Sequence, residues 1–181
     1  APLLPNGQVL VAGGLDGAAL STNSAELFDS GSTNWTLVGA MNYGRSLHTA
    51  TLLPDGNVLV TGGISDGLLS PQSALSSAEV YNWQARTWTK TNELNTTRWH
   101  HTATLLANGS VLVVGGQDNS RARLTVTEVF DTAVGFWSPT GLSITPRFEG
   151  LATLLPNGKV LSMAGTTNTI AINGTELFDP E

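Results

Sequence analysis

The sequence predicts an all-β chain assembled from repeated short-stranded sheets, and three observations carry that prediction. An octet of the form Leu-Leu-x-Asn/Asp-Gly-x-Val-Leu occurs four times, at residues 3–10, 52–59, 105–112 and 154–161. Glycine (20) and proline (8) are spread along all 181 residues, which suits many short strands joined by tight turns. Hydrophobic residues make up 40% of the chain and charged residues 12%, the balance of a chain that buries a core.

Each part of the repeat has a mechanical reading. Asn-Gly or Asp-Gly between two apolar runs signals a β-hairpin, read here as a type I′ turn in which both central residues take positive φ. Strand a then covers Thr49 to Leu53 and strand b Val58 to Thr61 in the second copy. A Gly-Gly or Ala-Gly pair ends strand b, and its last glycine falls at Gly14, Gly63, Gly116 and Gly165, spaced by 49, 53 and 49 residues. Paired glycines permit close backbone approach where neighbouring sheets converge.

Strand c reads Ala78-Glu79-Val80-Tyr81, with alternating faces, and strand d begins at Trp88. Glu26, Glu79, Glu128 and Glu176 each precede an apolar-aromatic pair. Trp35, Trp88 and Trp137 follow nine residues after the first three of them, and Arg45, Arg98 and Arg147 come ten residues after each Trp. An indole at a fixed place in each sheet fills the gap to its neighbour, worth roughly 2–3 kcal/mol of apolar burial apiece.

A period near 50 with these landmarks in this order resembles the kelch repeat family over the whole chain. The resemblance implies a β-propeller with blades of four antiparallel strands. About three and a half to four blades fit this chain: residues 1–44, 45–97, 98–146 and an incomplete 147–181. The chain enters partway through strand a and ends at Phe178-Asp179-Pro180-Glu181, before a fourth strand d. The two ends compete for the same places instead of completing one blade. The expectation is therefore part of a larger ring, or a unit that associates through open blade edges.

Composition excludes several classes. A net charge of −6, with Lys and Arg totalling 8, gives no basic stripe for nucleic-acid phosphates. Apolar runs such as Val111-Leu112-Val113-Val114 are strand-sized, far short of the roughly 20 residues of a spanning helix. No cysteine is present, which removes disulfides and thiolate chemistry. The catalytic propeller of galactose oxidase uses copper-bound tyrosines, one cross-linked to cysteine. With two tyrosines, Tyr43 and Tyr81, that chemistry does not carry over, and neither a metal nor a cofactor is expected. No nucleophile elbow, catalytic triad order or phosphate loop stands out.

Family members bind partners on the face built by the b-to-c and d-to-a loops, so those loops hold the candidate sites. The d-to-a loops carry Arg45-Ser46-Leu47-His48, Arg98-Trp99-His100-His101 and Arg147-Phe148-Glu149. Trp99-His100 and Phe148-Glu149 depart from the repeat, and departures are where a scaffold is free to take on a function. Arg98 and Arg147 belong to the same stretches, although their recurrence also reads as carbonyl-binding spacers between blades. His48 and His101 match each other and read as packing residues. The b-to-c loops run from residues 15–23, 64–77, 117–124 and 166–173; the third holds Asp118, Arg121 and Arg123, the densest charge in the chain. Sequons at Asn34, Asn95, Asn108 and Asn173 offer glycosylation sites on turns and strand edges if the protein is secreted.

The functional expectation is a non-catalytic, extracellular or cell-surface binding module for a protein or glycan partner, with the cytoplasm as the alternative location. Two rivals are a structural protein that self-assembles through open blade edges, and the propeller part of a copper oxidase whose catalytic residues lie elsewhere.

Overall fold

A computed structural model describes residues 1–66, 73–167 and 170–180. These residues form sixteen β-strands and no α-helix. Among them, no helix is long and apolar enough to cross a membrane.

The strands group by repeat. The first sheet contains β1 (Gln8–Ala12), β2 (Ala25–Asp29) and β3 (Asn34–Leu37), with Leu3 bridged to Val9 at its edge. The second holds β4 (Thr49–Leu52), β5 (Val58–Thr61), β6 (Ala78–Asn82) and β7 (Thr87–Lys90) in that order. The third holds β8 (Thr102–Leu105), β9 (Val111–Val114), β10 (Val126–Asp131) and β11 (Phe136–Leu142). The fourth pairs β12 (Leu151–Leu154), β13 (Val160–Met163) and β16 (Thr175–Phe178), and a hairpin of β14 (Thr166–Thr167) and β15 (Ile170–Ala171) stands between its last two strands. Every pairing is antiparallel and follows chain order. The expected strands a to d of the second repeat are thus β4 to β7. Two of the variable b-to-c loops are covered only in part, because residues 67–72 and 168–169 lie outside the described set.

The hairpin turn differs from the type I′ expectation. Gly7, Gly56, Gly109 and Gly158 have positive φ, whereas the preceding Asn or Asp does not. In the first copy Gly7 N donates to Leu4 O (3.0 Å) and Leu4 N to Gln8 O (2.8 Å). This is a three-residue loop, a type I turn closed by one left-handed glycine. The residue before Asn, proline in three copies, suits the first corner of a type I turn. The Asn or Asp side chain instead accepts a hydrogen bond from the N–H two residues on, as Asn108 Oδ1 does from Ser110 N (3.0 Å).

The core lies between sheets, as strand alternation requires. Val58, Val60 and Tyr81 of the second sheet pack against Leu10 and Leu27 of the first. Leu59 and Ala78, from its other face, meet Val111, Val113, Phe130 and Trp137 of the third. Leu112 and Val114 then meet Val160 of the fourth. β4 lies against β8, and β8 against β12, so the leading strands of successive sheets converge. The glycine pair makes this approach possible: a Cβ on Gly62 (φ 58°) would land on the Arg98 carbonyl oxygen, and one on Gly63 (φ 95°) on that of Ser46.

Candidate functional site

The linker between sheets is positioned by a buried clamp. Arg98 Nη1 donates to the carbonyls of Gly115 (3.0 Å) and Val126 (3.1 Å), while Nη2 pairs with Glu128 Oε1 (2.8 Å). The Glu128 carboxylate also accepts from the backbone N–H groups of Asn95 (2.6 Å) and Thr96 (3.0 Å). The same clamp joins Arg45 to Glu79 (2.9 Å) and Arg147 to Glu176 (3.0 Å). Burial opposes ionisation of Glu79, but hydrogen bonds from Asn42 and Arg45 prevail and hold its carboxyl below the usual range. Glu176 is held low in the same way by the Ile144 and Thr145 N–H groups against its desolvation.

Arg98 and Arg147 are therefore closed off from solvent and hold the linker from beneath; neither offers a surface to a partner. The carbonyl contacts match the spacer reading. The glutamate half of the clamp adds to that reading: a buried arginine requires a counter-charge, and the recurring Glu keeps step with it.

Two residues after each arginine the backbone turns left-handed, at Leu47 (φ 56°), His100 (φ 51°) and Glu149 (φ 56°). Non-glycine residues adopt this region at a cost, and here the neighbouring linkers hold them in it. His100 N donates to Leu47 O (3.2 Å) and Glu149 N to His100 O (3.2 Å). This ladder sets three successive linkers side by side at one end of the sheets.

The residues that depart from the repeat meet on that ladder. Trp99 sits on Ile64 and Ala74, with Leu47 and Phe148 packed around it. Its ring meets Phe148 edge-on (4.9 Å, 86°), and His100 touches both rings at 4.8 and 4.6 Å. Arg123 reaches in from the third b-to-c loop and lies 3.8 Å over the Phe148 ring, a cation–π contact. His100 Nε2 stands 3.5 Å from Glu149 Oε1. Burial, with the Arg123 charge acting against Glu149, lowers the His100 pKa and favours a neutral imidazole. Trp99 Nε1 and Arg123 Nε and Nη1 are buried without a hydrogen-bond partner in the protein. Flat rings beside such donors and an exposed carboxylate can stack a planar or sugar-like group and hydrogen-bond its edge.

Asp118 and Arg121 do not join the cluster. Asp118 Oδ1 accepts from Ser120 N (2.9 Å), Ser120 Oγ (2.7 Å) and Ala122 N (2.9 Å), closing its own loop. Arg121 is left-handed (φ 64°) and exposed at the loop tip. Asp16 closes the first b-to-c loop in the same manner, accepting from Ala18 N (2.8 Å) and Leu20 N (2.9 Å). Aspartate two residues after the glycine pair, at Asp16 and Asp118, is the sequence signal for this shared loop.

All four sequon asparagines, Asn34, Asn95, Asn108 and Asn173, are exposed. Asn95 Nδ2 nevertheless donates to Glu128 Oε2 (2.9 Å) and Trp137 O (3.4 Å), so a glycan on that nitrogen would displace part of the clamp. His101 is buried and His48 half-buried near the leading strands, and His101 Nε2 lies 2.9 Å from Thr49 Oγ1 and 3.1 Å from Thr61 Oγ1. Among the described residues, no three His, Asp or Glu side chains group as a metal site. No family model matches the chain, and no curated protein matches it.

Proposed function

We propose that this chain is a non-catalytic binding module of kelch type, its sheets forming blades of a larger propeller that presents the Trp99–His100–Phe148–Arg123–Glu149 cluster to a protein or glycan partner. One observation carries the reading. The residues that break the repeat in two separate linkers converge with an arginine from a third loop, while the clamps that hold those linkers need none of them. Screening the purified chain on glycan and peptide arrays tests this. Retained ligands should be lost in Phe148→Ala and Arg123→Ala variants that melt with the parent; ligands held equally by both variants would exclude the cluster as the binding site.

A second reading, self-assembly into a ring or filament, is favoured by the apolar residues on the outermost sheets. Trp35 of the first is 55% exposed, and Leu151 and Leu177 of the fourth are 63% and 61% exposed, the kind of apolar surface that associates. Sedimentation velocity across a wide concentration range should then show reversible growth in mass; a monomer throughout would sink it.

A further inference from the structure

Three of the four recurring glutamates hold a linker, and the fourth does not. Glu79, Glu128 and Glu176 each accept two consecutive backbone N–H groups and an arginine that follows three residues after the first of them: Asn42, Tyr43 and Arg45; Asn95, Thr96 and Arg98; Ile144, Thr145 and Arg147. Glu26 occupies the same strand position, opposite Leu37 as Glu79 is opposite Lys90. Among the described residues, none hydrogen-bonds to its carboxylate or pairs with it.

The surface around Glu26 is prepared in the same way. Phe28 and Trp35 stack at 5.0 Å and 43°, matching Tyr81 and Trp88 at 5.0 Å and 48° and Phe130 and Trp137 at 4.9 Å and 40°. In the second and third sheets this pair and the clamped glutamate lie under the preceding sheet and its linker. In the first sheet Leu3, Val11 and Trp35 are bare.

We propose that Glu26 and the Phe28–Trp35 face form a docking site for a linker segment whose arginine pairs with Glu26 while the backbone N–H groups of the residues three and two places before that arginine cap its carboxylate. The three occupied joints define that chemistry. A second copy of the chain is the poorer fit, because its Arg45, Arg98 and Arg147 are already held by its own glutamates. The site rests on the reading of these sheets as blades of a larger ring, and is independent of the loop cluster, which lies at the ends of the sheets and not on this face.

Grafting residues Met41–Thr49 directly before Ala1 tests it, because the octet register aligns Ala50 with Ala1. The graft should raise the thermal midpoint by about 5 °C. The rise should vanish when the grafted arginine is changed to glutamine, and also in a Glu26→Gln chain. A rise indifferent to both changes, or no rise, overturns the proposal; so does an ungrafted chain whose midpoint climbs with concentration and gains nothing from the graft. If the graft spoils folding, the same nonapeptide added to the unmodified chain should shift the Trp35 indole resonance. Loss of that shift with Glu26→Gln is expected, and its persistence or complete absence overturns the proposal.

Discussion

The third sheet and the first share one sequence pattern and end in different surroundings. Both stack an aromatic pair at about the same distance, 4.9 Å in the third and 5.0 Å in the first, and both close a b-to-c loop on an aspartate. Yet Trp137 is 7% exposed and Trp35 55%, and Glu128 is clamped where Glu26 is not. The sheet is thus a local product of its own repeat, while burial and charge pairing come from the neighbour on one side. This is the division expected of a repeat architecture, where each unit contributes its own stability and a separate interface contribution.

The largest test of that division is the clamp. Glu128→Ala leaves Arg98 buried without its counter-charge and should cost about 3–5 kcal/mol in denaturant unfolding. Glu26→Ala should stay within about 0.5 kcal/mol. Equal losses would mean that the clamp is a property of each sheet and not of the joint. The indoles come next. Trp137→Ala should cost about 3–5 kcal/mol through lost burial and a cavity, and Trp35→Ala only about 1 kcal/mol, the worth of its contact with Phe28.

Acid should act on the joints too. Burial, with Arg45 nearby, pushes the His48 pKa down from 6.5 to about 4, and His101 is driven well below its ordinary value by burial and Arg98. The folded state keeps these rings neutral while the unfolded chain takes up protons, so stability is full above about pH 6.5 and falls as pH drops toward 4. His48 alone accounts for about 3 kcal/mol across that window. Thermal midpoints measured between pH 7 and 4 should fall less steeply in His48→Gln; parallel curves would show that the imidazole is not the titrating group. The loop aspartates should show a small and uniform effect. Asp16→Ala and Asp118→Ala should each cost about 1 kcal/mol, because each carboxylate accepts hydrogen bonds from its own loop. A loss confined to Asp118, read by denaturant unfolding, would tie that loop to its neighbours as well.

Local features were legible in the sequence. The octet located β4, β5, β8, β9, β12 and β13, because an apolar run on each side of Asn-Gly can satisfy its backbone only by pairing across the turn. The turn type was not legible, since Asn-Gly is compatible with both type I′ and the three-residue loop, and only the register of the flanking strands separates them. Trp99, His100, Phe148 and Glu149 were found as departures from the repeat. Their union with Arg123 was not, because 24 residues separate Arg123 from Phe148 and no periodicity links a b-to-c loop to a later linker.

By itself, then, the sequence determined the β-class, the repeat and the order of strands within each sheet, all set by alternation and turn chemistry within a few residues. Which glutamate meets which arginine, which indole is buried, and which loop residues touch were decided only by the tertiary structure. Those outcomes depend on how one sheet lies against the next, and the landmarks that recur in each copy carry no local mark of what lies beside the sheet.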